Sequence, residues 1–463
     1  MSSRTHNVMA VGAALVAAVL FLIPGVSQAV PSFARQGNIP CATCHTAFPA
    51  LTAYGRQFKL NGYIGNAGEV LQSKEEGTKP GAEEEVLTLG KVPPISVMML
   101  ISWTSTHAMD PAAEHNGDLL LPDQFSFFLA GQLSPKAGAF IQITYSAVDD
   151  HFSWDNTDIR AADHASLLGQ DFLYGVSLNN NPTVQDIWNS TPAWGYPYAA
   201  SAHAVSPTAG TLIDGALAQQ VAGLGFYSLW NNLLYTELGV YHAAPIGVSR
   251  PLTGSCPPGT CVEATDVAEG AVPYWRLALQ KQMGEHYLMV GTYGLSAKLM
   301  PGGGVPLVGA TNEFTDVAVD IQYEKPFGSD LLTVHSTWIH ERQTWQTGPA
   351  VNPSDTLDVF RIDGNYLFDH RHYVGTLSYF NTTGTNDAGL YSSTPGTVFN
   401  SATGSPDSNG MIAEVDWLPW LNTKFGLQYT AYNKFDGASK DYNGAGRAAR
   451  DNNTTFIYAW LIF

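Results

Sequence analysis

Apolar and polar side chains alternate along most of the chain beyond residue 94. In the stretch Ile95–Trp103 every odd-numbered residue is apolar. The same period of two returns in 124–132, 141–146, 316–324, 360–366 and 425–430. A period of two predicts β-strands, because successive side chains of a strand point to opposite faces. Residues 95–463 therefore predict an all-β domain whose strands have one apolar and one polar face.

The connections between the predicted strands alternate in length. Short turns are expected at 134–138, 228–232, 282–285, 326–330, 369–371 and 418–421, and long loops fall between them, including 179–212, 244–271 and 385–407. Side-chain alternation alone also fits a soluble β-sandwich, but tight turns at one end and longer loops at the other are typical of outer-membrane barrels. The prediction is a transmembrane antiparallel β-barrel of about 16 strands, with both of its chain ends on the periplasmic side.

The composition supports a barrel that lies in outer-membrane lipid. Only 13% of the residues are charged, against about 25% in typical soluble domains, while the chain holds 45 glycines and 11% aromatic residues. The last predicted strand ends on Phe463, an aromatic residue. A formal net charge of -18 argues against nucleic acid as a partner and favours a surface that attracts cations.

The N-terminus has the pattern of a secretory signal peptide, which is predicted for residues 1–29. Arg4 is the only charged residue there, an apolar run extends from Val8 to Ile23, and Ser27-Gln28-Ala29 forms a small-residue cleavage site. An uncleaved anchor is the alternative, but the apolar run is short for a bilayer span. The mature chain is expected to begin near Val30.

The sequence Cys41-Ala42-Thr43-Cys44-His45 stands near the start of the predicted mature chain. In an exported protein, Cys-x-x-Cys-His is a c-type haem attachment motif. Its thiols bond to the haem vinyl groups and its imidazole becomes the proximal iron ligand. Half a zinc site would need a second ligand pair at similar spacing, and a bare redox pair is expected near a βαβ pattern. The motif therefore predicts one covalent haem c on Cys41, Cys44 and His45.

Residues 30–64 are the predicted cytochrome segment, and the polar stretch 65–94 is the predicted linker. A short helix is expected over 49–60, and Asn61-Gly62 is expected to end it. Three basic side chains are candidate contacts of the haem propionates: Arg35, Arg56 and Lys59. The segment is smaller than the roughly 40 residues below which a chain needs extra support to fold. We therefore expect it to plug the periplasmic end of the barrel, so that the lumen covers the haem.

The two remaining cysteines, Cys256 and Cys261, enclose the sequence Pro257-Pro258-Gly259-Thr260. In an exported protein such a closely spaced pair predicts a structural disulfide. A redox-active pair is the alternative, but the Pro-Pro-Gly spacer is typical of a rigid turn. The predicted barrel topology places this disulfide in an outside loop.

Several stretches resemble the fused monohaem cytochrome-porins of the outer membrane, a family that includes the iron oxidases of iron-oxidising bacteria. The resemblance rests on five stretches: Pro31–Gln36, Cys41–His45, Phe48-Pro49, Tyr54–Tyr63 and Asn180–Gly195. It implies one haem c on the periplasmic side of a barrel, which takes electrons from Fe(II) outside the cell. A periplasmic c-type cytochrome is then the expected partner. Two alternatives stay open: a conduit for another electron donor or acceptor, and a diffusion porin with a haem plug.

A second axial haem ligand would have to come from the barrel, because residues 30–91 hold no second histidine and no methionine. Met98 is the leading candidate, since alternation turns it towards the lumen, and His107 and His115 are further candidates. An ordinary lumen methionine is the alternative. A methionine ligand raises the haem potential. A path for Fe(II) is expected along three lumen carboxylates, although polar lumens carry charges in any case: Asp316, Asp320 and Glu324.

Overall fold

The computed structural model describes residues 32–37, 39, 41–46, 48–65, 94–108, 116–244, 266–301, 309–392, 396–420 and 422–463. The predicted signal peptide, residues 66–93 of the predicted linker, His115 and the pair Cys256 and Cys261 lie outside these ranges. The predictions made for them therefore stay predictions.

Within the described ranges, seventeen strands form one antiparallel sheet that closes on itself. They are β1 (Ile95–Thr106), β2 (Leu119–Ser134), β3 (Ala137–Ser146), β4 (His151–Leu167), β5 (Gln170–Asn179), β6 (Val221–Trp230), β7 (Leu234–Ala243), β8 (Asp266–Ala268), β9 (Val272–Met283), β10 (His286–Pro301), β11 (Asn312–Phe327), β12 (Asp330–Thr344), β13 (Ser354–Phe368), β14 (Tyr373–Gly384), β15 (Ser408–Trp420), β16 (Thr423–Lys434) and β17 (Thr454–Ile462).

Pairing of the first strand with the last closes the barrel. β1 and β17 pair from Met98 opposite Ile462 to Thr106 opposite Thr454. The short β8 and the following β9 pair in succession with β10, so these two strands share one position in the sheet. Sixteen strand positions result, which confirms the predicted number.

Side chains along each strand alternate between the lumen and the outer surface. In β1, for example, Ser96 and Met98 are buried on the lumen side. Many outward side chains are large, apolar and exposed, such as Leu224, Leu238 and Val415. An apolar outside around a polar inside is the arrangement of a barrel whose outer surface lies in lipid. The predicted outer-membrane β-barrel is therefore confirmed.

The two ends of the barrel differ in the way that the sequence predicts. Connections at one end are short, among them 135–136, 168–169, 231–233 and 328–329, and those at the other end include 180–220, 385–407 and 435–453. Both chain ends of the barrel, Ile95 and Ile462, lie at the short-turn end. Because short turns face the periplasm in this class of barrel, this is the periplasmic end.

Residues 32–65, the N-terminal segment, form three short helices: α1 (Ser32–Gly37), α2 (Cys41–Cys44) and α3 (Ala53–Leu60). The prediction that the third helix begins at residue 49 is wrong. Thr52 has an extended backbone and accepts the Gly55 N–H on its Oγ1 at 3.1 Å, which caps the helix there. The helix ends at Asn61, before Gly62 at φ +70°, as predicted. No helix in the described ranges is long and apolar enough to cross a membrane.

The N-terminal segment is bonded to lumen-facing side chains of well-separated strands. The Tyr63 hydroxyl donates to Asp158 Oδ2 of β4 at 2.6 Å. On the other side, Arg56 Nη1 donates to Glu324 Oε1 of β11 at 2.7 Å. All four residues are buried, so these contacts join the N-terminal segment to the lumen-facing side of β4 and β11.

The connection between β5 and β6, residues 180–220, folds back into the barrel and is named here the inner loop. It contains α4 (Pro182–Gln185) and a wide helical turn (Leu212–Ala216). Residues 181–188 are all buried. The sequence predicts a long loop at the outer end here, and the structure shows that this loop descends into the lumen.

Two buried arginines bind the inner loop to the wall of the barrel. Arg276 of β9 forms an ion pair with Asp320 of β11, and its Nη1 also lies 3.7 Å from Asp186 of the inner loop. Arg160 of β4 donates from Nη2 to the Gln185 carbonyl at 2.8 Å. A guanidinium offers several donors in a fixed plane, so each arginine joins the loop to the wall in one geometry.

Two outer loops, 385–407 and 435–453, pack against each other above the lumen. The first contains α5 (Ala388–Tyr391), whose N–H groups are capped by the preceding aspartate. Phe435, Tyr442 and Val398 of these loops form one apolar cluster with Val205 of the inner loop. These two outer loops therefore contact the inner loop through a shared apolar cluster.

Replacing Arg160 with alanine is expected to destabilise the barrel. Arg160 is 0% exposed and its Nε lies 2.9 Å from Asp158 Oδ2, so the substitution leaves a buried carboxylate short of its main partner. The expected loss of unfolding free energy is about 3 kcal/mol, measured by urea unfolding of the detergent-refolded protein. The matched control is Lys136→Ala, which removes an exposed ion pair with Asp163 and is expected to leave the urea midpoint unchanged. Equal midpoints for both variants would contradict the prediction.

Candidate functional site

A cavity of about 220 Å³ lies where the N-terminal segment, the inner loop and the barrel wall meet. The segment contributes Cys41, Cys44 and His45 to its lining. The inner loop contributes Ile187 and Trp194, among others. The wall contributes residues of β1, β2, β3 and β17. The lining is largely apolar, so the cavity suits a hydrophobic group anchored by the thiols and the imidazole.

The attachment motif is held in one helical turn. The His45 N–H donates to the Cys41 carbonyl at 3.0 Å, which places the two thiols of α2 and the imidazole on neighbouring positions of that turn. His45 Nδ1 lies 3.2 Å from the Pro49 carbonyl. A carbonyl can only accept, so this contact puts the proton on Nδ1 and leaves the Nε2 lone pair free for a metal.

Burial shifts the pKa values of the motif's titratable groups. Burial lowers the pKa of His45 to about 4, which keeps the imidazole neutral and able to bind a metal at neutral pH. Burial, reinforced by the neighbouring Cys41, raises the pKa of the Cys44 thiol to about 11. A redox-active pair usually has a lowered thiol pKa, so these thiols do not resemble one. In the described ranges no group of three His, Cys, Asp or Glu side chains could hold a metal ion.

Gly55 allows α3 to lie against the attachment motif. A Cβ built on Gly55 would lie 2.1 Å from the Cys44 carbonyl oxygen, closer than any real contact. The absence of a side chain at this position therefore brings the helix onto α2. Sequence reasoning missed this role, because a glycine within a helical pattern does not reveal which backbone it approaches.

Met98 lines the same cavity as His45. It points into the lumen, as its position in the alternation predicts, and is 2% exposed. Of the other candidates for the second axial ligand, His107 follows the outer end of β1 and is absent from the cavity lining. The structure thus brings together the motif and the methionine that the sequence singled out.

The three basic candidates of the N-terminal segment differ in position. Lys59 lines the cavity, and its Nζ donates to the carbonyl of Asp186 at 3.2 Å and to that of Val184. Arg56 is paired with Glu324 and Arg35 donates to the Ile95 carbonyl, both outside the cavity lining. Of the three candidates, Lys59 alone lines the cavity.

The predicted lumen carboxylates stabilise the two inserted segments. Glu324 pairs with Arg56 of the N-terminal segment, and Asp320, besides its pair with Arg276, accepts a hydrogen bond from the Ser190 hydroxyl of the inner loop. Asp316 Oδ2 accepts the backbone N–H of Ile213 in the inner loop at 2.6 Å. All three face the lumen, as predicted, and each has a protein partner on the described residues. Their role in an Fe(II) path stays a prediction.

No family model and no curated protein matches the chain. Solved structures that are similar to it are outer-membrane proteins. OmpT of Vibrio cholerae, folded in vitro, is 10% identical over 80% of this chain and 96% of its own, with a TM-score of 0.40. The anion-selective porin from Comamonas acidovorans is 9% identical over 80% and 98%, with a TM-score of 0.41. The channel DcaP of Acinetobacter baumannii is 9% identical over 80% and 96%, with a TM-score of 0.42.

Gly55→Ala is expected to prevent the packing of α3 on the attachment motif. The new methyl group would overlap the Cys44 carbonyl, and overpacking of this kind costs about 1–3 kcal/mol or more. The expected result is a loss of unfolding free energy of this size, measured by urea unfolding of the detergent-refolded protein. Gly364→Ala is the control, because a Cβ there meets nothing within 4 Å. An unchanged urea midpoint in Gly55→Ala would contradict the role given to Gly55.

Lys59 predicts a pH dependence of stability. Burial, together with the nearby Arg160, lowers its pKa from 10.5 to about 8. Between these two values the unfolded chain holds a proton that the folded chain lacks, so stability rises with pH in this window. Relative to Lys59→Met, the wild-type unfolding free energy should increase by at most about 3 kcal/mol from pH 8 to pH 10.5. The measurement is urea unfolding across that range; parallel curves for both proteins would refute the assignment.

Proposed function

We propose that this chain is an outer-membrane electron-transfer protein that oxidises extracellular Fe(II) through one haem c and passes the electrons to a periplasmic c-type cytochrome. The observation that carries the proposal is the convergence of Cys41, Cys44, His45 and Met98 on one apolar cavity inside the barrel. When bound, the haem supplies a one-electron acceptor. The remaining tasks fall to the chain itself.

The residues of the cavity hold and tune that acceptor. His45 is oriented by the contact of its Nδ1 with the Pro49 carbonyl, which would leave Nε2 to hold the iron. Met98 would hold the iron from the barrel wall through its thioether sulfur, and such a ligand would raise the haem potential. The apolar lining limits access of water, which also affects the potential. Lys59 is the proposed donor to a propionate.

The N-terminal segment acts as a plug in this proposal. With three short helices it is too small to enclose a haem by itself. The barrel wall supplies the missing half of the cavity through β1, β2, β3 and β17. This division explains why the attachment motif and a membrane barrel occur in one chain, because neither part forms the cavity alone.

The choice of Fe(II) as donor rests on charge and on the resemblance to cytochrome-porins. The net charge of -18 raises the local concentration of cations. Oxidation of Fe(II) is a one-electron step that needs no general base or nucleophile. The resemblance covers both the attachment motif and the inner-loop stretch 180–195. A conduit for another donor would share these features, so the donor is decided by experiment.

A diffusion porin is the second candidate, and the barrel fold is the observation in its favour. Against it, residues 181–188 of the inner loop are buried in the lumen and the N-terminal segment lies at the periplasmic end. Swelling of liposomes in sugar solutions separates the two functions. Slow swelling is expected for the electron-transfer protein, and fast swelling that does not depend on haem would favour the porin.

The main test is reduction of the haem by Fe(II). Purified protein in its oxidised form is mixed with Fe(II), and the visible haem spectrum is followed in a stopped-flow instrument. Rapid appearance of the reduced spectrum is expected, together with its loss on addition of an oxidised soluble c-type cytochrome. Slow reduction by Fe(II) but rapid reduction by another donor would assign the protein to that donor.

Met98→Leu tests the second axial ligand. The substitution preserves volume and removes the thioether sulfur, so the haem potential should fall and the iron–sulfur charge-transfer absorption should disappear. Covalent haem content should be unchanged, because the thiols and His45 remain. The control is Met289→Leu, at a methionine that is 1% exposed but absent from the cavity lining. Identical spectra and potentials for wild type and Met98→Leu would exclude Met98 as the ligand.

A further inference from the structure

The described part of the lumen holds packed protein above the cavity. The inner loop is bonded to the wall along its length, from Gln185 to Leu212, whose N–H donates to Glu341. Val205, between them, joins the apolar cluster of the outer loops. A donor ion at the outer surface is therefore separated from the cavity by folded chain. The rate of electron transfer falls steeply with the distance between donor and acceptor. A route from the outer surface to the cavity therefore needs intermediate groups.

Aromatic side chains leave the cavity along β17. Trp460 lines the cavity, and Tyr458 and Phe456 follow at every second residue, all three buried on the lumen side. The rings of Phe456 and Tyr458 are stacked at 4.9 Å between centres and 24° between planes. The ammonium of Lys424 lies 5.1 Å from the ring centre of Tyr458 and 5.4 Å from that of Trp460, so both rings lie near the same cation.

A second group of aromatic rings continues to the outer end. Tyr432 of β16 donates its backbone N–H to the side chain of Asn453, which places it three residues beyond Phe456, or about 10 Å along the neighbouring strand. Tyr432 and Phe435 are 5.0 Å apart between ring centres, and Phe435 and Tyr442 are 4.9 Å apart.

The outer end of this series lies just below the surface. Tyr442 is 1% exposed, whereas Lys440 and Asp441 beside it are exposed. The stretch of β17 from Trp460 to Thr454 is six residues, or about 20 Å, long. The rings of Tyr432, Phe435 and Tyr442 lie beyond it. The length of the whole series is comparable with the hydrocarbon thickness of about 30 Å.

We propose that these six rings, named here the aromatic column, conduct electrons from the outer surface to the cavity: Tyr442, Phe435, Tyr432, Phe456, Tyr458 and Trp460. The inference rests on the proposed function, since it requires an electron acceptor in the cavity. For each electron that reaches the ferric haem, one Fe(II) at the outer surface becomes Fe(III). The column itself returns to its starting state.

Tyr458 is equipped to exchange its proton during this transfer. Its hydroxyl lies 2.6 Å from Glu414 Oε1 and 3.0 Å from Asp416 Oδ1. When Tyr458 passes an electron to the acceptor in the cavity, its phenolic proton moves to this carboxylate pair, and the proton returns when an electron from Fe(II) at the outer surface reduces Tyr458 again. Lys424, 3.3 Å from Asp416 Oδ2 and 3.7 Å from Glu414 Oε1, balances the negative charge of the pair. No net proton is consumed.

The first test measures haem reduction by Fe(II) added outside vesicles in which the long loops of the protein face outwards. Phe456→Leu and Tyr458→Leu remove a ring and should slow reduction about tenfold each, the effect of a small rise in an activation barrier. Tyr241→Leu is the matched control, because Tyr241 is also 1% exposed but lies on β7, away from the column. Each rate is expressed per haem, as measured by absorbance, so that only folded protein with bound haem is compared.

The second test does not use the haem reaction. A ruthenium photo-oxidant is attached through Lys440→Cys at the outer end of the column, and a flash creates an oxidised label. The label should recover by taking an electron from the column, with the transient absorption of a tyrosyl radical. Tyr442→Leu and Tyr432→Leu should slow recovery and reduce the radical signal several-fold. Tyr458→Phe keeps the ring but removes the proton exchange, so the radical signal should also fall in that variant.

The outcomes separate the aromatic column from the proposed function. Equal rates of haem reduction and of label recovery in the wild type and in the leucine variants of the column would overturn the proposed role of the column. One outcome supports the column but refutes the aqueous ferrous ion as the donor: slowed label recovery in those variants, with a haem that external ferrocyanide reduces but the external aqueous ferrous ion does not. A wild-type haem that no external donor reduces, together with label recovery independent of the rings, would refute both.

Discussion

Pairing of buried arginines with lumen carboxylates is the constraint on which the rest of the structure depends. A charge inside a barrel that is filled with protein is costly unless it is paired and hydrogen-bonded. Arg56 therefore ties the N-terminal segment to β11, and Arg160 and Arg276 tie the inner loop to β4, β9 and β11. Since a guanidinium is planar and always charged, each pairing permits one position of the segment that it holds.

The cavity follows from this arrangement. The attachment motif lies on one of the two inserted segments, Trp194 lies on the other, and Met98 belongs to the wall. None of these parts encloses a cavity alone, so the position of each arginine pair decides whether the thiols, the imidazole and the thioether face one another. The chemistry proposed for the site is therefore a property of the whole barrel rather than of the motif.

Local periodicity revealed the strands, the alternation of turns and loops, and the inward side of β1 with Met98, because each of these depends on residues close in sequence. The descent of the inner loop was not predictable in this way. Asn180 and Asn181 look like ordinary loop residues, yet their amides are buried and bonded to Asp155 and Asn156 of β4. Pairs such as Arg276 with Asp320 join strands that are not neighbours, and no periodicity identifies them. The start of α3 was misplaced because the apolar spacing of 48–51 resembles a helical turn.

A filled lumen and an open channel are opposite physical solutions. Free diffusion of a solute needs water along the whole barrel, whereas transfer of an electron needs closely spaced groups and gains from the exclusion of water. Residues 181–188 of the inner loop are buried in the described lumen, and Ala199 packs against the inward rings of β17, so one structural feature bears on both requirements. In the proposed function, this filling would also keep the ferric product outside while the electron passes inwards. The packing of residues 180–220 is therefore the feature that distinguishes the proposed electron transfer from permeation.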